Sequence, residues 1–293
     1  MRYKALWLAA AAFALALNAS AADFQIQRID AGTLKFDGAI DKESADALFK
    51  ALDERVTTLR VTSPGGDMWH GIQIGKYIHD HRITVEVDGE CASSCANYLF
   101  LGAVSKRLLP GAVLGFHGDL IGEMPAEKQA ALRRRGEPTA PTSDDPADII
   151  EINQRLEIAF RDRVGLRQDF YVHANDRVHE YWKTLGRTHK EVSSEIIVTT
   201  AAETRRFPPG ELQTAMQFAE ELGKKKIKFE LNMTAVESDY GDIIYFPSRA
   251  TLERFGIRGI GDYPYPASET ELRNTTLLKN SPTLHVVGDF QGS

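Results

Sequence analysis

The sequence predicts an α/β fold with a mostly parallel sheet, and three observations support this prediction. Short β-branched or apolar stretches alternate with amphipathic helical stretches between residues 24 and 116. The order strand, helix, strand requires right-handed crossover connections, which align successive strands in parallel. A hydrophobic content of 43% is enough for a substantial core. The chain therefore has both the pattern and the apolar material of a layered α/β protein.

The predicted elements follow one another closely in this first part. Residues 24–28 and 34–37 alternate between apolar and polar side chains, which indicates a hairpin of two short strands. Residues 42–52 and 68–79 have apolar side chains at helical spacing, which predicts two helices. Further strands are predicted at 57–62, 83–87, 107–109 and 112–116, and a third helix at 92–102.

The pattern changes after residue 117. Residues 118–146 contain Pro, Thr, Asp and an Arg133-Arg134-Arg135 run, and are interpreted as a loop. A long helix is expected at 149–163, then several helices without strands over 166–222. Strands are expected at 227–231 and 243–246, and a helix at 248–255 capped by Ser248.

The whole chain is divided into five predicted segments. They are a signal peptide at 1–21, a first core part at 22–117, a loop and helical insertion at 118–231, a closing strand and helix of the core at 232–264, and an irregular, loosely attached tail at 265–293.

The first residues have the three parts of a secretory signal peptide. A basic start is followed by a short apolar run and by Ala19-Ser20-Ala21, a small-residue cleavage site. The run is short for a membrane anchor, because spanning a bilayer takes about 20 apolar residues. We expect cleavage after Ala21 and a periplasmic or secreted protein. The net charge of −6 argues against nucleic acid and an anionic membrane surface as partners. Cleavage would remove Arg2 and Lys4 and make the net charge −8.

The two cysteines, Cys91 and Cys95, are predicted to form a disulfide. Exported proteins commonly oxidise such a pair. Four residues apart on a first helical turn, their α-carbons would lie about 6 Å from each other, within the range that a disulfide tolerates. A zinc site would need two more ligands, and no histidine cluster lies nearby in the sequence, so no metal is expected. A reactive free thiol is the remaining alternative, and an oxidising compartment disfavours it.

Three short segments contain residues suited to nucleophilic chemistry. A serine pair, Ser93-Ser94, lies at a predicted strand-to-helix turn; Ser63-Pro64-Gly65-Gly66 is a turn rich in backbone donors; and His117 follows a predicted strand. A serine, a histidine and oxyanion donors together can attack a carbonyl group. Taken singly, Ser93 would more simply be a helix cap and His117 a structural histidine. The combination favours a site.

These segments resemble the proteolytic subunit of Clp protease, a family within the crotonase-like fold of repeated β-β-α units. The resemblance rests on residues 63–66, 71–75, 89–93, 101–103 and 110–117, and more weakly on 245–257. It covers residues 34–117 well and 239–260 weakly, and it fails over 118–231. It therefore implies a ClpP-like β-β-α spiral with an insertion.

The resemblance also implies the role of each site residue. Ser93 takes the position of the nucleophile and His117 that of the general base. The oxyanion donors would be the N–H groups of Gly66 and Ser94, the residue after the nucleophile. The acid is assigned to Asp239, with Asp242 and Glu237 as alternatives, and without an acid the site would be a dyad. A Ser–Lys mechanism would instead need a lysine near Ser93, and Lys106 is the nearest candidate in the sequence.

The function implied by the resemblance is a serine peptidase without a cofactor. Because ATP is absent outside the cytoplasm, no unfoldase partner is expected, and the substrates would be peptides or unfolded protein segments. Family members form rings or trimers, so a homo-oligomer is implied as well. Two alternatives stay open: a non-catalytic peptide-binding protein with the same fold, and a crotonase-type enzyme acting on acyl-CoA, which export disfavours because CoA is cytosolic.

Overall fold

The computed structural model describes residues 24–118, 121, 124–140, 146–184, 194–207, 212–235, 243–275 and 284–290. The predicted signal peptide lies outside these residues. The main sheet has the strand order β1-β2-β3-β4-β5, with β6 beside β4. β1 is antiparallel to β2 and the other pairs are parallel, which confirms the predicted fold class. The strands are β1 Phe24–Arg28, β2 Thr33–Gly38, β3 Thr58–Ser63, β4 Thr84–Ala92, β5 Lys106–Leu108 and β6 Val113–Gly115.

Two α-helices and one π-helix connect these strands. The α-helices are α1 Lys42–Ala51 and α2 Met68–Asp80, and the π-helical segment Cys95–Phe100 is called the serine helix below. The serine helix begins later than predicted because β4 continues through Ala92. Its six residues are all buried, so it packs on every side within the core.

β4 has two different neighbours on the same side. Its first half, Val85 to Val87, pairs with β5, and its last three residues, Glu90 to Ala92, pair with β6. Both pairings are parallel, so β6 runs in the same direction as β4 and ends where β4 ends. The residues that follow β4 and β6 are therefore neighbours at the carboxyl edge of the sheet.

The segment expected to be a loop contains a helix, α3 Ala126–Arg134. Leu132 of this helix packs with Ile121 and with Ile158 of α4 in a small apolar cluster. The helix forms because most of its residues are strong helix formers and because this cluster buries one face. Two long helices follow, α4 Pro146–Val164 and α5 Gln168–Thr184.

The expectation of helices without strands over residues 166–222 is wrong. Strands β7 Ser194–Thr200 and β8 Thr204–Phe207 lie within that range, and together with β9 Phe229–Ala235 they form an antiparallel sheet of order β8-β7-β9. Helix α6 Leu212–Lys224 belongs to the same part of the chain. Its residues Ala215 and Leu222 share an apolar cluster with residues of β7 and β8.

The described residues of the tail include a helix and a strand, which the prediction of an irregular tail missed. β10 Ile243–Phe246 pairs in parallel with β11 His285–Gly288, and Val286 and Val287 of β11 are buried in the main core. Helices α7 Arg249–Arg254 and α8 Glu269–Arg273 lie between these strands. Ser248 caps α7 as predicted, since its side chain accepts a hydrogen bond from the N–H of Thr251.

Among the helices of the described part, none is long and apolar enough to cross a membrane.

Candidate active site

Ser93 occupies a sharp turn between β4 and the serine helix. Its φ angle is 54°, in the left-handed region that residues other than glycine rarely adopt. Its N–H donates to the carbonyl of Gly115 in β6 (2.9 Å), and its own carbonyl accepts from the N–H of Asn97 (2.8 Å). The backbone at Ser93 is thus fixed from both sides, as expected for a strained conformation that the surrounding structure imposes.

The side chains of the two adjacent serines have different environments. Ser93 is partly exposed, and its hydroxyl has no hydrogen-bond partner among the residues described. Ser94 is 5% exposed, and its hydroxyl donates to the carbonyl of Gly66 (2.7 Å). The Ser94 side chain makes no capping hydrogen bond either. Of the two, Ser93 has the accessible hydroxyl.

The glycine turn after β3 packs directly against Ser93. Gly65 has a φ of 95°, and a β-carbon on it would lie 2.6 Å from the Ala92 carbonyl oxygen and 2.7 Å from the Ser93 β-carbon. The turn is anchored on its other side, because the N–H of Ile40 donates to the Gly65 carbonyl (2.7 Å). A side chain at Gly65 would therefore displace Ser93 itself.

The two predicted oxyanion donors belong to segments that touch. The hydroxyl of Ser94 joins the serine helix to Gly66, as described above. The backbone N–H groups of Gly66 and Ser94 have no acceptor within the described part of the chain. Two unused N–H groups, one of them at the start of a helix, suit a developing negative charge.

The cysteines flank this turn on both sides. Cys91 is in β4 and Cys95 starts the serine helix; both are fully buried, and their α-carbons are 5.2 Å apart with the sulfurs bonded. The geometry is compatible with the predicted disulfide. Such a bond closes a short loop with Ser93 at its centre.

His117 follows β6, next to the point where Ser93 contacts that strand. The backbone groups of the preceding Phe116 pair with Tyr245 in β10 (2.9 and 2.7 Å), and the carbonyl of the following Gly118 accepts from the side chain of Asn97 (3.1 Å). The His117 side chain is exposed, and within the described residues no hydrogen bond joins it to the Ser93 hydroxyl. The structure thus brings the two segments together without a direct bond between the two side chains.

The third member of the predicted triad is not placed. Asp239 and its alternatives, Asp242 and Glu237, all lie outside the described residues. The strand that pairs with Phe116 begins at Ile243. The assignment of the acid stays a prediction.

Lys106 is not near Ser93. It pairs with Val85 at the start of β4, and the eight residues from there to Ser93 span about 25 Å. Its ammonium is buried and donates to the carbonyl of Leu101 (3.1 Å), and this burial lowers the pKa of Lys106 to about 7. A lysine with that pKa would suit a base, but its position excludes a Ser–Lys pair with Ser93.

Sequence reasoning missed a carboxylate that is bonded to Tyr245, the residue that pairs with Phe116 beside His117. Asp289, just after β11, accepts hydrogen bonds from the Tyr245 hydroxyl (2.8 Å), the Ser248 N–H (2.8 Å) and the Thr251 hydroxyl (2.7 Å). Burial raises the pKa of Asp289, but these hydrogen bonds outweigh it and leave the pKa below its ordinary value. The sequence offers no local signal for this residue, because only its contacts with β10 and α7 distinguish it from a surface aspartate.

No group of three or more side chains suited to holding a metal ion occurs in the described part.

Comparisons with known proteins leave the family open. No family model matches the chain, and no curated protein matches it. Similar solved structures include enoyl-CoA hydratase from Bacillus anthracis, with 9% identity, a TM-score of 0.27, and coverage of 32% of this chain and 50% of that one. A variant of the membrane-bound stomatin-specific protease 1510-N has 19% identity, a TM-score of 0.26 and coverage of 41% and 66%. DspI of Pseudomonas aeruginosa has 14% identity, a TM-score of 0.27 and coverage of 38% and 57%. The chain thus spans half to about two thirds of these proteins, and at this level of similarity they assign no activity to it.

Proposed function

We propose that the protein is an exported, ClpP-like serine peptidase that cleaves peptides or unfolded protein segments without ATP. The observation that carries this proposal is the state of Ser93. Its hydroxyl is accessible, it has no partner in the described part of the chain, and it lies on a strained turn packed against Gly65. A nucleophile needs a free hydroxyl beside a base and oxyanion donors.

The proposed reaction passes through an acyl-enzyme. His117 takes the proton of the Ser93 hydroxyl while the oxygen attacks the peptide carbonyl. The N–H groups of Gly66 and Ser94 donate to the oxyanion of the tetrahedral intermediate. His117 then gives the proton to the leaving amine as the C–N bond breaks. Water next attacks the acyl carbon and gives a proton to His117, which returns it to the Ser93 oxygen as the ester bond breaks and the acid product leaves. One of Asp239, Asp242 and Glu237 would orient the imidazole.

Export is part of the proposal because one feature of the sequence and one of the structure agree with it. Residues 1–21 have the pattern of a cleavable signal peptide. The buried pair Cys91 and Cys95 has the geometry of a disulfide, a bond that persists in oxidising compartments. An enzyme in such a compartment has no ATP supply, so its substrates would already be unfolded.

A second candidate function is a peptide-binding protein that does not cleave. The exposed His117, which has no hydrogen bond to Ser93 in the described residues, favours this alternative. Such a protein would use the cleft beside the glycine turn for binding alone.

A fluorophosphonate probe followed by mass spectrometry separates the two candidates. We expect an adduct on Ser93 in the folded wild-type protein and none in Ser93→Ala. Ser105→Ala is a matched control, because Ser105 is an exposed serine outside the site. An adduct on Ser94, or no adduct on folded protein, contradicts the peptidase proposal.

A further inference from the structure

Asn97 is a buried polar residue on the serine helix, whose other residues also lie in the core. It lies one turn after Ser93, and its N–H donates to the Ser93 carbonyl (2.8 Å). The residue is only 5% exposed, and Ala96, Leu99 and Phe100 of the same helix are fully buried apolar residues. An amide in such surroundings is unfavourable unless it is hydrogen-bonded.

The amide of Asn97 is used on one side only. Its Nδ2 donates to the carbonyl of Gly118 (3.1 Å). Because a carbonyl oxygen only accepts, the atom facing Gly118 has to be the nitrogen. Oδ1 then points away, and it is buried without a partner in the described part of the chain. Packing alone does not explain an amide here: an apolar side chain would avoid the unsatisfied Oδ1, but it would also remove the donor to the Gly118 carbonyl.

The bond to Gly118 connects the two halves of the site. His117 lies between two anchored neighbours: Phe116, which pairs with Tyr245 of β10, and Gly118, which is bonded to Asn97. Only the second anchor leads to the helix that begins after Ser93. The hydroxyl of Tyr171 in α5 donates to the Asn97 carbonyl (3.4 Å), so this turn of the helix is itself held in place.

We propose that Asn97 is a positioning residue that sets where the His117 imidazole lies relative to the Ser93 hydroxyl. This inference rests on the proposed peptidase function. The donor of Asn97 holds the Gly118 carbonyl, and through it the His117 backbone, at a fixed place beside the serine helix. A misplacement of about 1 Å between reacting groups costs about 100-fold in rate, so such a link matters for reactivity.

The test compares Asn97→Leu with Tyr98→Phe in the full chain. Leucine removes the bond to Gly118 and keeps the branched shape of the side chain. Tyr98→Phe is the matched control, because Tyr98 is the next buried residue of the serine helix and its hydroxyl bonds to Glu157, away from Gly118. If Asn97→Leu gives no folded protein by circular dichroism, Asn97→Ala replaces it, since alanine is the best helix former.

Two quantities are measured in each variant: the rate of Ser93 labelling by a fluorophosphonate, and the NMR chemical shift of the His117 ring carbon in ¹³C-histidine-labelled protein. The ring signal is assigned by its loss in His117→Ala. We expect Asn97→Leu to slow labelling about 10- to 100-fold and to move the His117 signal. Tyr98→Phe should change neither quantity.

The two readouts keep the two proposals apart. If wild-type protein is not labelled, the peptidase proposal fails, while a His117 signal that moves only in Asn97→Leu still supports the link through Asn97. If wild-type protein is labelled and Asn97→Leu is labelled at the same rate, the inference is overturned. It is also overturned if the His117 signal is the same in Asn97→Leu and Tyr98→Phe.

Discussion

The two sides of the candidate site are built in different ways. The nucleophile side consists of the glycine turn after β3 and the turn around Ser93 after β4, on adjacent strands of one sheet. Direct contacts fix it: Gly65 against Ser93, Ser94 bonded to Gly66, and two cysteines around the turn. The histidine side joins Phe116 to Tyr245 and Asp289, which are far apart in the sequence.

The backbone of Ser93 is fixed by contacts within the main sheet, whereas the position of His117 is fixed by contacts with segments much later in the sequence. On the nucleophile side a few neighbouring residues impose the strained backbone of Ser93, so its conformation is present whenever the main sheet is formed. On the histidine side the position of His117 depends on the packing of later segments. Damage to either side should therefore lower activity, with different effects on stability.

The largest effect is expected from His117→Ala. Loss of the base should lower labelling and hydrolysis about 10³- to 10⁴-fold, because the Ser93 hydroxyl then keeps its proton. The initial rate of hydrolysis of a short peptide ester should show the same loss. Asp239→Asn should keep a reduced rate if the acid only orients the ring. Hydrolysis by His117→Ala at the wild-type rate would show that the base lies elsewhere.

Gly65→Ala tests the nucleophile side. The added β-carbon would clash with Ala92 and Ser93 at a φ of 95°, so we expect a loss of about 2–4 kcal/mol in the free energy of unfolding and little Ser93 labelling. Urea denaturation and the fluorophosphonate assay measure the two effects. Gly111→Ala is the matched control: its φ is 81° and a β-carbon there meets nothing within 4 Å, so it should cost only about 1 kcal/mol. Equal losses in both variants would show that contact with Ser93 is unimportant.

Asp289→Asn tests the histidine side. The variant loses charge-assisted hydrogen bonds from Tyr245, Ser248 and Thr251, and because the carboxylate is only partly buried we expect a loss of about 1–2 kcal/mol. The folded-state pKa of Asp289 is lowered, so its contribution is complete above the ordinary aspartate value of about 3.9 and is lost as the pH falls through the folded-state value. The free energy of unfolding is measured for both proteins at neutral and at low pH. Asp289→Asn should be less stable than the wild type at neutral pH, and the two values should converge at low pH. Asp262→Asn, at an exposed site, should resemble the wild type at both pH values.

Removal of the cysteines is expected to cost no more stability than Asp289→Asn. Titration of denatured, unreduced exported protein should find no free thiol. Replacing Cys91 and Cys95 together by alanine should lower stability by about 2 kcal/mol or less, because the loop that the bond closes is short. Gly65 would still hold Ser93, so labelling should persist at a reduced rate. Two free thiols per wild-type chain would refute the disulfide.

The surroundings of Ser93 are easier to predict from the sequence than those of His117, for a physical reason. Ser93, Gly66 and the cysteines lie within short segments whose turn chemistry is readable from neighbouring residues. The surroundings of His117 depend on pairing between distant strands, which no local pattern reveals. Asp289 is the clearest case, since only tertiary contacts with β10 and α7 distinguish it from a surface aspartate.

The elements of the fold also differ in how well the sequence predicts them. The strands and helices of residues 24–116 have clear periodicity, and the structure places them as predicted apart from the later start of the serine helix. Helix α3 was missed because prolines on both sides dominate the composition of residues 118–146. β7 was missed although its Ile196-Ile197-Val198 run is β-branched. Its nearer antiparallel partner, β8, has one buried residue and so shows no apolar alternation, and its other partner, β9, lies beyond α6 in the sequence.

The pairing of β10 with β11 also orders events in time. Residues 247–284 have to be made before β11 can meet β10, and closing such a long segment is slower than forming the β3–β4 neighbourhood. During synthesis from the N-terminus, the turn around Ser93 can therefore form while the histidine side still lacks its last strand. The backbone of Ser93 is thus set before the chain reaches Asp289, whose contact with Tyr245 secures the strand beside His117 last.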